Sequence, residues 1–137
     1  MKLVIDTNRF FAAFIKNSIS RAILLSTRFE FYAPVEILEE FEKYKDYLLT
    51  KSKIDVFAFE TLYRSLLEPI YLISLKKYEK SLENAIKIMK DIDIKDAPFL
   101  AIGLALDLDG IWSDDKHFLD QNELKTFSTS NLLIYLK

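Results

Sequence analysis

The residues of this chain whose types and surroundings could do chemistry are acids at four well-separated points. Asp6 ends the aliphatic run Leu3-Val4-Ile5, and Glu36, Glu39 and Glu40 fall within one helical pattern. Asp96 opens a strongly apolar stretch, and Asp114-Asp115 follow Ile111-Trp112-Ser113. Carboxylates that converge without histidine or cysteine make a hard, oxygen-only ligand set, suited to Mg²⁺ or Mn²⁺ rather than zinc. Without a cation such a cluster repels itself, and one or more of its pKa values rise. The chemistry that such sites commonly serve is phosphoryl transfer, in which the metal activates water and offsets charge on the phosphate oxygens.

Whether these acids meet depends on the elements that carry them. Leu3-Val4-Ile5 is apolar on both faces and reads as a buried parallel strand. Asn8 is placed to cap a helix through Phe10, Phe11, Phe14 and Ile15, and Ser18 or Ser20 to start a second through Ile23, Leu24 and Leu25. Residues 29–33 read as the second strand. Pro34 then falls in the first turn of a helix with the pattern Ile37, Leu38, Phe41, Tyr44, Leu48. The spacing of Val56, Phe59, Leu62, Tyr63 and Leu66 predicts a helix from Asp55 to Leu67, which Pro69 stops. Residues 70–73 make a third strand, and Tyr78, Leu82, Ala85, Ile86 and Met89 mark the next helix.

The helix opened by Asp96 is apolar almost all round over 99–106, so a small domain can only bury it. Residues 111–113 and 125–128 supply the fourth and fifth strands, and 130–136 a closing helix. This alternation argues for an α/β fold, a three-layer α/β/α sandwich with a central, mostly parallel sheet of about five strands. A chain of 137 residues, half of them hydrophobic, is enough for one domain over 1–137.

In an open parallel sheet, ligands bind beyond the carboxyl ends of the strands. Asp6 and Asp114-Asp115 follow strands, and Asp96 starts the helix before the fourth strand, so these acids share one edge. At roughly 100° per residue, Glu40 flanks the stripe Ile37, Phe41, Tyr44, Leu48. Glu36 lies further out, and Glu39 is nearly opposite, on a solvated face with Lys43. Each acid alone has a simpler role: Asp96 as a helix N-cap, Asp6 and Asp114-Asp115 as turn residues. Their convergence carries the argument.

Composition excludes several classes. With no cysteine there are no disulfides, thiolate zinc sites or cysteine nucleophiles, which fits a cytoplasmic protein. Any metal is then expected on oxygen. The N-terminal apolar run is too short for a signal peptide or a membrane span. A net charge of −2 attracts no polyanion globally, although bound cations would reverse the local potential. The two glycines, Gly103 and Gly110, form no phosphate-cradling loop. Gly103 reads as close helix-to-sheet packing and Gly110 as a turn. The one histidine, His117, lies beside a turn and reads as a surface residue. Lys16, Arg21 and Arg28, with Lys43, Lys45, Lys51 and Lys53, could track a phosphate backbone, although most read as solvated faces.

The ordered motifs resemble the PIN domain, a nuclease family that includes VapC-like toxins and RNA-processing enzymes, and the likeness covers nearly the whole chain. Its opening strand and Asp-Thr-Asn are matched by Val4-Ile5-Asp6-Thr7-Asn8, and its helical glutamate by the segment from Ile37 through Glu39-Glu40 to Tyr44. Its third acid, at the start of an Ala-rich helix, is matched by Asp96-Ala97-Pro98, and its Thr/Ser-x-Asp segment by Ser113-Asp114-Asp115. The resemblance implies catalytic and metal-binding roles for Asp6, Glu40, Asp96 and Asp115. Glu39 and Asp114 stand as alternatives to their neighbours, and Asp93 as a peripheral acid. It implies Thr7 and Ser113 as orienting hydroxyls, with Asn8 supporting.

The activity implied is hydrolysis of single-stranded or loop RNA with Mg²⁺ or Mn²⁺, leaving a 5′-phosphate and a 3′-hydroxyl. A toxin of a type II toxin-antitoxin pair would add an antitoxin as partner. A processing nuclease outside such a pair, and a non-catalytic PIN-fold module that binds RNA or protein, are the alternatives. The wide apolar face Val56, Phe57, Phe59, Leu62, Tyr63, Leu66, Leu67 suggests a homodimer through this helix and the preceding one. A haloacid dehalogenase phosphatase would want Asp where Asn8 stands, and a receiver domain an acid after Tyr71-Leu72-Ile73-Ser74; both readings fall behind.

Overall fold

The computed structural model describes residues 1–15 and 18–136. Five strands, β1 (Lys2–Ile5), β2 (Glu30–Pro34), β3 (Ile70–Ile73), β4 (Gly110–Trp112) and β5 (Thr126–Phe127), form one sheet in the order β3-β2-β1-β4-β5. Every pairing is parallel. Parallel neighbours need crossovers, and the helices provide them on both faces. They are α1 (Thr7–Ala12), α2 (Ile19–Leu24), α3 (Ile37–Ser52), α4 (Val56–Leu67), α5 (Leu75–Met89), α6 (Ala97–Ala105), α7 (Lys116–Leu119) and α8 (Thr129–Leu133).

The two-residue period of a strand divides the core into two layers. Leu3 and Ile5 of β1 and Trp112 of β4 point into one, built with α1 to α4 and α8 and rich in packed aromatic rings such as Phe10, Phe14, Phe31, Phe41 and Phe59. Val4 and Ile111, one residue out of phase, point into the other, built mainly with α5 and α6. The almost uniformly apolar α6 is accounted for by its place: Leu100, Ala101 and Ile102 have no exposed surface. The fold is therefore the α/β/α sandwich expected from the alternation of elements.

Chain order places the site. From β1 the chain steps out to β2 and β3, then returns through α5 and α6 to β4 on the other side of β1. The sheet order thus reverses between β1 and β4, and in such sheets the crevice beyond the carboxyl ends at that reversal is the binding position. Asp6 follows β1, and Ser113 to Asp115 follow β4.

Several local expectations change. Helix α1 starts at Thr7 with Asp6 in the N-cap position, so Asn8 lies in its first turn and caps nothing. Ser18, rather than Ser20, caps α2, accepting from Arg21 N at 3.1 Å, while Ser20 is buried within that helix. Pro34 ends β2, in register with Ile73, and α3 opens only at Ile37. Tyr44 leaves the buried stripe of α3: it is 48% exposed and leans on Phe11 at 5.5 Å. A short α7 follows Asp115 where only a turn was expected, and the closing segment splits into α8 and a 3-10 turn, Ile134–Leu136.

The glycines also act differently from expectation. Gly110 opens β4, where a Cβ would come within 2.5 Å of the Lys125 carbonyl oxygen and 2.7 Å of the Phe127 ring. Its need is close approach to β5, not a turn conformation. Gly103 makes room for the Leu124 side chain rather than for the sheet.

Candidate active site

Asp6 enters its position because β1 ends there: its backbone N donates to the Trp112 carbonyl oxygen at 3.1 Å, while its own carbonyl receives Arg9 N and Phe10 N. The residue is only 5% exposed. Ser113 Oγ donates to Asp6 Oδ2 at 2.7 Å and accepts from Asp115 N at 2.9 Å, so one hydroxyl links the ends of β1 and β4. Asp115 in turn caps α7, its Oδ1 accepting from His117 N at 3.0 Å.

Asp96 occupies the N-cap position of α6 yet makes no side-chain capping bond. The simplest structural role for it is thus left unused, and its carboxylate turns toward the other acids. Asp93 caps the preceding 3-10 turn, Ile94–Asp96, by accepting from Lys95 N, which brings it to the same place.

The electrostatics record this crowding. Burial raises the pKa of Asp6 above the usual carboxylate range; Asp115 adds to the rise, while the Ser113 bond, the Asn8 backbone bond and the Arg9 charge oppose it. Burial, followed by the charges of Asp6, Asp93 and Asp115, pushes Asp96 up to about 7, against the opposing pull of His117. These carboxyls resist simultaneous ionisation unless a cation joins them.

Asp6, Asp93, Asp96 and Asp115 line one cavity of about 730 Å³, along with Thr7 and Asn8. Helix α3 and its N-cap residue Glu36 supply a further wall with Glu40, Tyr44 and Tyr47. Glu40 is therefore in the cavity and Glu39 is not, but Glu40 pairs with Lys43 at 3.7 Å and is not among the charges that shift Asp6 or Asp96. Asp114 is drawn elsewhere, into bonds with Thr129 N at 2.8 Å and Thr129 Oγ1 at 2.7 Å and an ion pair with Arg9 at 3.0 Å.

Three residues here were not singled out from the sequence. His117 was set aside as a surface residue, but its Nδ1 faces Asp93 and Asp115 at 3.4 Å and Asp96 at 3.7 Å. That nitrogen is buried and has no hydrogen-bond partner. A nitrogen thus stands among the acids, and no short-range pattern in the sequence signals it, because its neighbours Asp93 and Asp96 lie on another element. Arg9 and Lys95 are the cations that line the cavity. Among the basic residues weighed as a phosphate track and read mostly as solvated faces, Arg21 is spent on the Ala13 carbonyl and Lys45 on Glu60, and Lys16 lies outside the described residues.

A parallel α/β sheet with convergent acids at its reversal point defines a class of protein, one built to hold divalent cations. A covered imidazole nitrogen that faces three carboxylates at 3.4–3.7 Å without a formed hydrogen bond fits that class, since these donors suit a cation. The chain belongs to the PIN domain family, whose model matches residues 4–137. PIN domains are generally metal-dependent nucleases. No curated protein matches the chain.

A carboxyl raised in the folded state holds its proton longer than in the unfolded chain, where its pKa is 3.8. Between that value and about 7, the folded form binds more protons, so metal-free stability falls as pH rises through this window and levels off above it. Asp96→Asn is expected to remove most of that fall. Urea midpoints of parent and variant should converge near about pH 4 and separate in favour of the variant at about pH 8.

Proposed function

We propose that this chain is a single-domain, metal-dependent endoribonuclease over 1–137 that hydrolyses single-stranded or loop RNA with Mg²⁺ or Mn²⁺. The observation that carries the reading is a cavity in which Asp6, Asp96 and Asp115 sit beside an aromatic wall of α3. Asp6, Asp96 and Asp115 are the assigned metal-binding and catalytic acids, with Glu40 the fourth once it releases Lys43. Asp93 is an additional ligand, and Asp114 serves instead to brace Arg9. A divalent cation bound there supplies positive charge to the scissile phosphate and lowers the pKa of water.

The remaining work falls to the chain's own groups. Ser113 orients Asp6 through its 2.7 Å bond, and Thr7 and Asn8 complete the rim. Arg9 and Lys95 offer positive charge to flanking phosphates. Phe11, Tyr44 and Tyr47, all on the cavity wall, provide flat surfaces on which unpaired bases stack, which favours unstructured RNA over duplex.

As the toxin of a type II toxin-antitoxin pair the protein would have an antitoxin as partner; a small antitoxin gene directly upstream would support this role, and its absence would favour an RNA-processing nuclease. The lack of cysteine supports a cytoplasmic setting. No helix among the described residues is long and apolar enough to cross a membrane.

With Mn²⁺, the purified protein should cut unstructured RNA, and Asp6→Asn and Asp96→Asn should each lower the rate by at least about a hundredfold. Equal cutting by parent and variants would sink the assignment. We further propose a homodimer through α4 and the preceding helix; Phe59 and Leu66 of the expected face are buried in the chain's own core, so the support is the 84% exposure of Phe57 and 60% of Val56 at the start of α4. Light scattering should then give twice the chain mass for the parent and the single-chain mass for Phe57→Glu; a monomeric parent contradicts it.

A further inference from the structure

His117 is not one of the four acids on which the ribonuclease reading rests, and its surroundings are those of a ligand rather than of a surface side chain. The ring is partly open to solvent, yet its Nδ1 is fully covered and has no hydrogen-bond partner. It faces Asp93, Asp96 and Asp115 oxygens at 3.4–3.7 Å, and of these Asp115 Oδ1 already accepts from His117 N. We propose that His117 Nδ1, with Asp93 Oδ2 and Asp96 Oδ2, forms a mixed nitrogen-oxygen metal position that favours Mn²⁺ and its transition-metal neighbours over Mg²⁺. The proposal rests on the metal-dependent reading of the site and specifies which ion that site selects.

The distances support it. Nδ1 lies 3.4 Å from Asp93 Oδ2 and 3.7 Å from Asp96 Oδ2. Donor atoms that share one ion through bonds of about 2.0–2.2 Å stand roughly 3.0–3.5 Å apart. The three donors lie within 4.8 Å of one another, a span that one ion can close with small side-chain shifts. Their backbone ties hold the arrangement. Asp93 Oδ1 accepts from Lys95 N, leaving Oδ2 toward the imidazole, and Asp115 Oδ1 accepts from His117 N, fixing the start of the helix that carries the ring.

The ion preference follows from ligand type. Mg²⁺ binds oxygen, demands near-ideal octahedral geometry and gives up water reluctantly. Imidazole nitrogen is a better partner for later divalent ions, and affinity rises along the first transition row. Replacing one oxygen by nitrogen therefore changes which cation is retained, not whether one is bound.

The test uses the intact protein loaded with Mn²⁺. Pulsed electron paramagnetic resonance should show a ¹⁴N coupling in the parent that disappears in His117→Asn. Calorimetric titration should show that variant losing about tenfold or more in Mn²⁺ affinity while Mg²⁺ affinity stays within about twofold. Metal-free melting curves of parent and variant, together with His117→Gln as a second variant, separate ligand loss from misfolding. A parent spectrum without nitrogen coupling overturns the proposal. So does a rise in affinity for both cations in His117→Asn, the result expected of a charged imidazolium that merely competes with the metal. A nitrogen-bound Mn²⁺ in a protein that cuts no RNA would instead overturn the nuclease reading alone, and RNA cutting without the coupling would overturn this one alone.

Discussion

Negative charge is concentrated where the sheet order reverses, and the surrounding structure can be understood as what holds it there. Asp6 and Asp115 are brought to the ends of adjacent strands, and Asp96 is swung to the same edge by the helix that precedes β4. Burial and mutual repulsion raise the pKa of Asp6 and drive that of Asp96 to about 7. The rest of the fold must supply enough packing to tolerate that arrangement in the absence of a cation. It does so with a core dominated by aromatic rings on one face of the sheet and the nearly all-apolar α6 on the other.

A second set of contacts keeps the acids apart in function while they are adjacent in sequence. Trp112, with no exposed surface, donates from Nε1 to Thr129 Oγ1 at 3.1 Å. Thr129 Oγ1 donates onward to Asp114, which also pairs with Arg9 of α1. This chain of bonds ties the start of α8, the end of β4 and α1 into one brace. Asp114 is consumed by it, and Asp115 is left to line the larger cavity. The same backbone course turns His117 inward at the start of α7.

Much of this was legible in the sequence because it follows from short-range pattern. A run apolar on both faces and ending in Asp6 specifies a central strand and an acid at its carboxyl end. The unbroken apolar surface of 99–106 specifies a helix buried against the sheet. Helical geometry separates Glu40, which lines the cavity, from Glu39, which does not. What was not legible depends on contacts between residues distant in the chain. Neighbouring acids such as Asp114 and Asp115 look alike until Arg9 and Thr129 claim one of them. The orientation of His117 depends on Asp93 and Asp96, more than twenty positions away and on another element. Pro34 could open a helix or close a strand, and its pairing with β3 decides for the strand.

The central claim is that the fold brings carboxylates together for a divalent cation to reconcile. Its most direct test is the unfolding temperature of the parent protein at neutral pH as MnCl₂ is added. The temperature should rise steadily with the logarithm of cation concentration, as expected when only the folded state binds, and the rise should vanish when Asp6 and Asp96 are both replaced by Asn. An unfolding temperature indifferent to both Mn²⁺ and Mg²⁺, with parent and double variant behaving alike, would contradict it.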